Sequence, residues 1–140
     1  MRLFKRKKIE RPKNPLGYAL YKYDNIINRD LKKIIKSLTL KKKLNFKKVN
    51  TVLEDVFYKL NIILDEISKD NLKIDYRSDK IRNFMIDMIQ SLKDYFNRAK
   101  TYNFEPEKIE NGETIISLDL ILNKREKIKK KMKDIESDYI

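Results

Sequence analysis

Six carboxylates stand in loose pairs along the middle of the chain: Glu54 beside Asp55, Asp65 beside Glu66, and Asp87 one helical repeat before Asp94. Paired acids are the raw material of general acid–base catalysis and of hard-cation sites, where several oxygens must converge on one point. These pairs fall off the apolar stripes described below, on helix faces expected to meet water. The pattern therefore predicts solvated surface rather than a metal site. Other catalytic chemistry is missing at the level of residue type. The chain has no His and no Cys, which removes Ser-His and Cys-His nucleophile pairs, imidazole and thiolate ligands, and disulfides. It has neither a glycine-rich phosphate loop nor a paired-cysteine metal motif. The expectation is a protein that is not an enzyme and needs no cofactor.

The cations carry a stronger pattern. The formal net charge is +13, and it is unevenly spread. Residues 1–48 hold 17 Lys/Arg against three acids (Glu10, Asp24 and Asp30), residues 49–120 hold 10 against 14, and residues 121–140 hold 7 against 4. A genome biased toward Lys, Asn and Ile codons would raise lysine everywhere; it would not empty the first third of acids. Arg2, Lys5, Arg6, Lys7, Lys8, Arg11 and Lys13 make residues 1–14 a basic arm, in which Pro12 opposes helix formation. A second block follows: Lys32, Lys33, Lys36, Lys41, Lys42, Lys43, Lys47 and Lys48. Tyr18 and Tyr21 sit beside the arm and off the apolar face, placed to stack on bases or to anchor a protein contact.

Such cations suit a polyanion. Lys and Arg displace condensed counterions from phosphates and gain affinity with little sequence preference. The expected function is thus largely sequence-independent binding of nucleic acid by a structural component of a larger assembly. A small, basic, Lys/Asn/Ile-rich chain has the composition of phage or mobile-element nucleoprotein machinery. The competing class is a protein–protein adaptor whose arm docks into a partner chain. A third is peripheral association with an anionic membrane through Leu3, Phe4 and Ile9; it ranks lower, because the segment is short and has no Met-Gly acylation signal ahead of it.

These residues need elements to position them, and the apolar spacing supplies helices. Phe46, Val49, Leu53, Val56, Leu60, Ile63 and Ile67 step 3-4-3-4-3-4, one stripe of a helix over 46–69. Val52, Phe57 and Leu64 broaden that face, so this helix is expected at the middle of the bundle, touched from both sides. Leu16, Ala19, Leu20, Tyr23, Ile26, Ile27, Leu31, Ile34, Ile35 and Leu38 predict an earlier helix over 15–38, with Asn14 as cap and Pro15 at its first position. Ile81, Met85, Met88, Leu92, Tyr95, Ala99 and Tyr102 predict a third over 79–102, with Phe84, Ile89 and Phe96 alongside and Ser78 as cap.

Asn103–Glu113 holds Pro106 and Asn111-Gly112 and reads as a turn. Beyond it, Leu118, Leu120 and Leu122 alternate as a short strand would, while Ile128, Met132, Ile135 and Tyr139 step 4-3-4 as a fourth helix would. The helix is the preferred reading.

The fold class expected is all-α: an antiparallel three- or four-helix bundle with a basic N-terminal arm. Residues 15–113 form its three-helix core, and 114–140 a lysine-rich helix that packs on the core or projects from it. With two Gly and three Pro in 140 residues, few long helices fit better than many strands. No apolar run approaches the ~18 residues of a membrane span, and the N-terminus has no apolar signal region. A cytoplasmic location, or one inside a viral particle, is expected.

Overall fold

The computed structural model describes residues 15–40, 42, 44–69, 79–109 and 117–136. Among them every regular element is helical and no strand forms. Helix α1 (Pro15–Asn25) runs into a π-helical turn (Ile26–Asp30) and then α2 (Lys32–Thr39). Three further long or short helices precede the last: α3 (Phe46–Ile67), α4 (Asp79–Thr101) and the single turn α5 (Pro106–Ile109). The lysine-rich α6 (Leu118–Glu136) follows. The basic arm over 1–14, the caps Asn14 and Ser78, the Asn111-Gly112 turn and Tyr139 lie outside the described residues.

The long helices alternate in direction, as their side-chain pairs show. Lys22 pairs with Glu66 and Asp30 with Lys59, so α1 and α3 run opposite ways. Phe46 meets Phe104, and Lys93 donates to Asn61, which reverses α4 against α3. Lys124 pairs with Asp87 and Lys131 covers Phe84, which reverses α6 against α4. The result is an all-α bundle with up-down alternation.

The π turn has a clear cause in the sequence. An uninterrupted α-helix would carry the stripe from Tyr23 and Ile26 onto Asp30, placing a carboxylate in the core. The extra residue of the π turn, closed by Leu31 N donating to Ile26 O at 2.9 Å, turns Leu31 inward instead. Leu31 is fully buried, and Asp30 stays at the surface with Lys59. The continuous helix expected over 15–38 is therefore a helix with a phase correction. Its signal was the five-residue step from Ile26 to Leu31.

Helix α3 begins where the sequence indicates. Asn45 is extended (φ −74°, ψ 109°), and its side chain accepts from Lys48 N at 3.2 Å, a cap contributing about 1 kcal/mol. Val49, Leu53, Val56, Leu60, Ile63 and Ile67 are all buried. Phe46, the first residue of that stripe, is not: it keeps 40% of its surface and only edges onto Phe104. Phe84 is likewise largely exposed, with Lys131 over its ring.

Helix α4 shares the central role that the spacing assigned to α3. It packs on α3, α6, α1 and α5, and it buries eight side chains against six on α3. Its C-terminus closes in a Schellman arrangement, with Phe104 N donating to Ala99 O (2.7 Å) and Asn103 N to Lys100 O (3.2 Å). Asn103 and Phe104 both have left-handed φ, 54° and 58°. That conformation is costly for Phe, and burial of the Phe104 ring against the core offsets it.

The segment 118–122 is helical rather than a strand. Ser117 Oγ caps it by accepting from Leu120 N at 3.3 Å. Leu118 and Ile121 are buried and Leu120 is exposed, a period of three that alternation would not give. Ile128 and Met132 continue the stripe, and it packs on α4.

Candidate nucleic-acid interface

Helix α2 carries Lys32, Lys33 and Lys36 from just past the Asp30–Lys59 pair toward the end of the bundle where the connection and the first turn of α3 place Lys42, Lys47 and Lys48. Lys32, Lys33, Lys36, Lys42, Lys47 and Lys48 are exposed, and among the described residues none of their ammonium groups meets a carboxylate. Lys41 and Lys43 lie outside the described residues, as do Arg2, Lys5, Arg6, Lys7, Lys8, Arg11 and Lys13. Lys32 and Lys33 open α2 after the π turn rather than closing a long helix, and Lys47 and Lys48 lie in the first turn of α3, which holds no acid. Cations at a helix N-terminus oppose the positive end of the macrodipole. The C-termini of α2 and α4 lie at the same end and offset the α3 N-terminus, so the positive potential there comes from the side chains.

Cations nearer the middle of the bundle behave differently. Lys59 donates to Asp30 at 2.9 Å and pairs with Asp55 at 3.0 Å, and these hydrogen bonds hold its ammonium above the usual lysine range. Arg125 grips Asp24 with both Nε and Nη2, the former at 3.0 Å, tying α6 to α1. That contact raises the guanidinium further still, against the opposing effect of partial burial. Lys22 pairs with Glu66, and Lys124 with Asp87. Arg29 and Lys93 are exceptions: neither has an ion pair among the described residues, and Lys93 donates to Asn61 Oδ1 instead.

Tyr18 and Tyr21 are brought together. Their rings stack nearly parallel, 6.3 Å between centroids at 13°. Lys22 lies 4.6 Å from the Tyr18 centroid, so Tyr18 is half-buried under a cation while Tyr21 keeps 46% of its surface. They sit at the end of the bundle where the arm begins, opposite the Lys32–Lys48 block.

The acids expected on wet faces are placed there. Glu54, Asp55, Asp65, Asp87 and Asp94 are exposed, and Glu66 is half-buried against Lys22. Among the described residues no three acidic side chains come together as a metal cage would require. A groove of about 360 Å³ runs between the π turn and α3, lined by Lys22, Asn25, Arg29, Asp30, Lys59 and Ile62; its lysines are already held by acids. Among the described residues no helix is long and apolar enough to cross a membrane.

One cationic feature is not marked as a site by the sequence pattern. Lys127, Lys129, Lys130, Lys131 and Lys133 are exposed on α6 without carboxylate partners among the described residues. Because Arg125 meets Asp24 and α6 runs opposite to α1, these lysines lie level with the first turns of α1, at the root of the arm. Four alternating helices return the chain to its starting end, so the signal was present in the predicted topology itself. Comparison with protein-family models, curated proteins and solved structures found no match.

Proposed function

We propose that this chain is a non-enzymatic helical protein that binds nucleic acid through phosphates, largely independently of sequence, as a component of a larger assembly. The observation that carries this reading is a contrast in pairing among the described residues: Lys22, Lys59 and Lys124 meet acids on neighbouring elements, whereas Lys32, Lys33, Lys36, Lys42, Lys47 and Lys48 meet none. Unmatched lysines crowded at one end repel one another, and a polyanion relieves that repulsion while releasing its own counterions. The arm adds seven cations in sequence, Arg2 to Lys13, and Tyr21 offers an exposed ring beside its root.

A second reading has its own observation. Tyr58 (67% exposed) and Ile62 stand out on α3 between Glu54, Asp55 and Asp65, an apolar and acidic strip suited to a protein partner rather than to phosphate. Under that reading the chain is an adaptor, and the arm meets acidic protein. A salt series separates the two. Phosphate binding gives a log–log slope of about −0.9 per duplex phosphate contacted, so duplex affinity of the full-length chain should fall steeply as salt rises. No duplex binding at low salt would overturn the nucleic-acid reading.

A further inference from the structure

The two basic ends face away from each other, and this has a consequence for how many nucleic-acid segments one molecule holds. At one end stand Lys32, Lys33, Lys36, Lys47 and Lys48; at the other, Lys127, Lys130, Lys131 and Lys133 on α6, with exposed Lys80 at the start of α4. Their separation follows from α4. Phe46, in the same turn as Lys47 and Lys48, meets Phe104, whereas Lys131 meets Phe84. From Phe84 to Thr101, where α4 ends, the helical rise is about 25 Å, which separates Lys131 from Lys47 and Lys48; Lys32 and Lys33, just past the Asp30–Lys59 pair, lie several Å nearer. The Debye length at 0.1 M salt is about 10 Å. The two clusters are therefore electrostatically independent.

Between them the surface is unfavourable to phosphate. Glu54, Asp65, Asp94 and Asp119 are exposed there and make no ion pair among the described residues, and the neighbouring Lys59 and Lys124 are neutralised by their own acids. A polyanion laid lengthwise would have to cross this acidic middle. Each end, by contrast, can take a segment without the other.

We propose that a single copy of this chain bridges two segments of nucleic acid, one at each end. The proposal rests on the nucleic-acid reading above and adds a function to it: cross-linking rather than coating. On α6, Lys127, Lys130 and Lys133 recur every three residues along one side, and none is needed for packing, since Leu118, Ile121, Ile128 and Met132 make the buried stripe. The α6 lysines are thus the second binding surface, independent of the Lys32–Lys48 block.

The test uses the full-length chain and two short duplexes, one tethered to beads and one labelled and free. The measurement is capture of the free duplex on the beads at low salt. Two variants are compared with the wild type: K32Q/K33Q/K36Q/K47Q/K48Q and K127Q/K130Q/K131Q/K133Q, with circular dichroism checking that both fold. The expected result is that each variant still binds the tethered duplex, more weakly, while capture of the second duplex falls at least about tenfold, since bivalent gain is lost when one site is removed. Binding without capture by the wild type would overturn bridging and leave the nucleic-acid reading intact. Capture surviving in either variant would also overturn it, as would capture only by a species sedimenting at twice the monomer mass. Absence of any duplex binding would remove the underlying reading instead.

Discussion

The middle of the bundle and its two ends use the same residue types to different effect. At mid-bundle, Lys22, Lys59, Lys124 and Arg125 each meet a carboxylate on another helix, and the charge fixes neighbours in register. Toward the ends, Lys32, Lys33, Lys47, Lys48, Lys130 and Lys133 meet none among the described residues. A net charge of +13 says little until pairing is known. Charge spent within the fold is structural, and charge left over at the ends is what a partner can use.

Substitutions in the two regions should separate by what they damage. The largest effect on stability is expected at Leu60, fully buried on α3 at mid-bundle. Leu60→Ala should cost about 2–5 kcal/mol by lost transfer and a residual cavity, read from the urea midpoint; an unchanged midpoint would break the assignment of α3 to the core. Next comes Arg125→Ala. It removes a two-point contact with Asp24 and should cost about 1.5–3 kcal/mol, the range for hydrogen bonds to charged groups, with little change in duplex affinity. A large loss of affinity with unchanged stability would blur the distinction between middle and ends.

The smallest effect is expected at Tyr23. Its hydroxyl is buried without a hydrogen-bond partner, so Tyr23→Phe should change stability by less than about 1 kcal/mol, toward stabilisation, because it removes an unsatisfied polar group. The same burial, with Asp24 adding to it and Arg125 opposing it, pushes the phenol well above its ordinary value of 10.0. A raised folded-state pKa means the neutral form is favoured in the fold. Its contribution is fully present below about pH 10 and is lost as pH rises from there toward the folded-state value. Tyr23→Phe should accordingly unfold less steeply above pH 10 than the wild type, by circular dichroism; identical alkaline limbs would show that the phenol is hydrated in the fold.

Much of the architecture was legible in the spacing. The α3 stripe follows directly from the sequence, and so do Ile81 to Ala99 on α4, because helical period is a local property. What escaped depended on several elements at once. The π turn answers a conflict between a helical stripe and Asp30, visible only as an awkward step from Ile26 to Leu31. The exposure of Phe46 and Phe84 depends on where neighbouring helices end. The central role of α4 depends on α6 packing against its second face, which no single-helix pattern contains. For the candidate interface, residue type marked the Lys32–Lys48 block, but only the fold distinguishes its lysines from Lys59, which looks the same in sequence and is held by Asp30 and Asp55.

That distinction supplies the most direct test of the central claim. Duplex affinity is measured across a salt series for the wild type, for K32Q/K33Q/K36Q/K47Q/K48Q at one end, and for the mid-bundle variant K22Q/K59Q/K124Q. The end variant should flatten the log–log slope by several units, at up to about 0.9 per lost phosphate contact, with stability unchanged or slightly raised. The mid-bundle variant should keep the wild-type slope and lose stability. Equal flattening per lysine removed in the two variants would contradict the account, since affinity would then follow total charge and not the unpaired lysines at the ends.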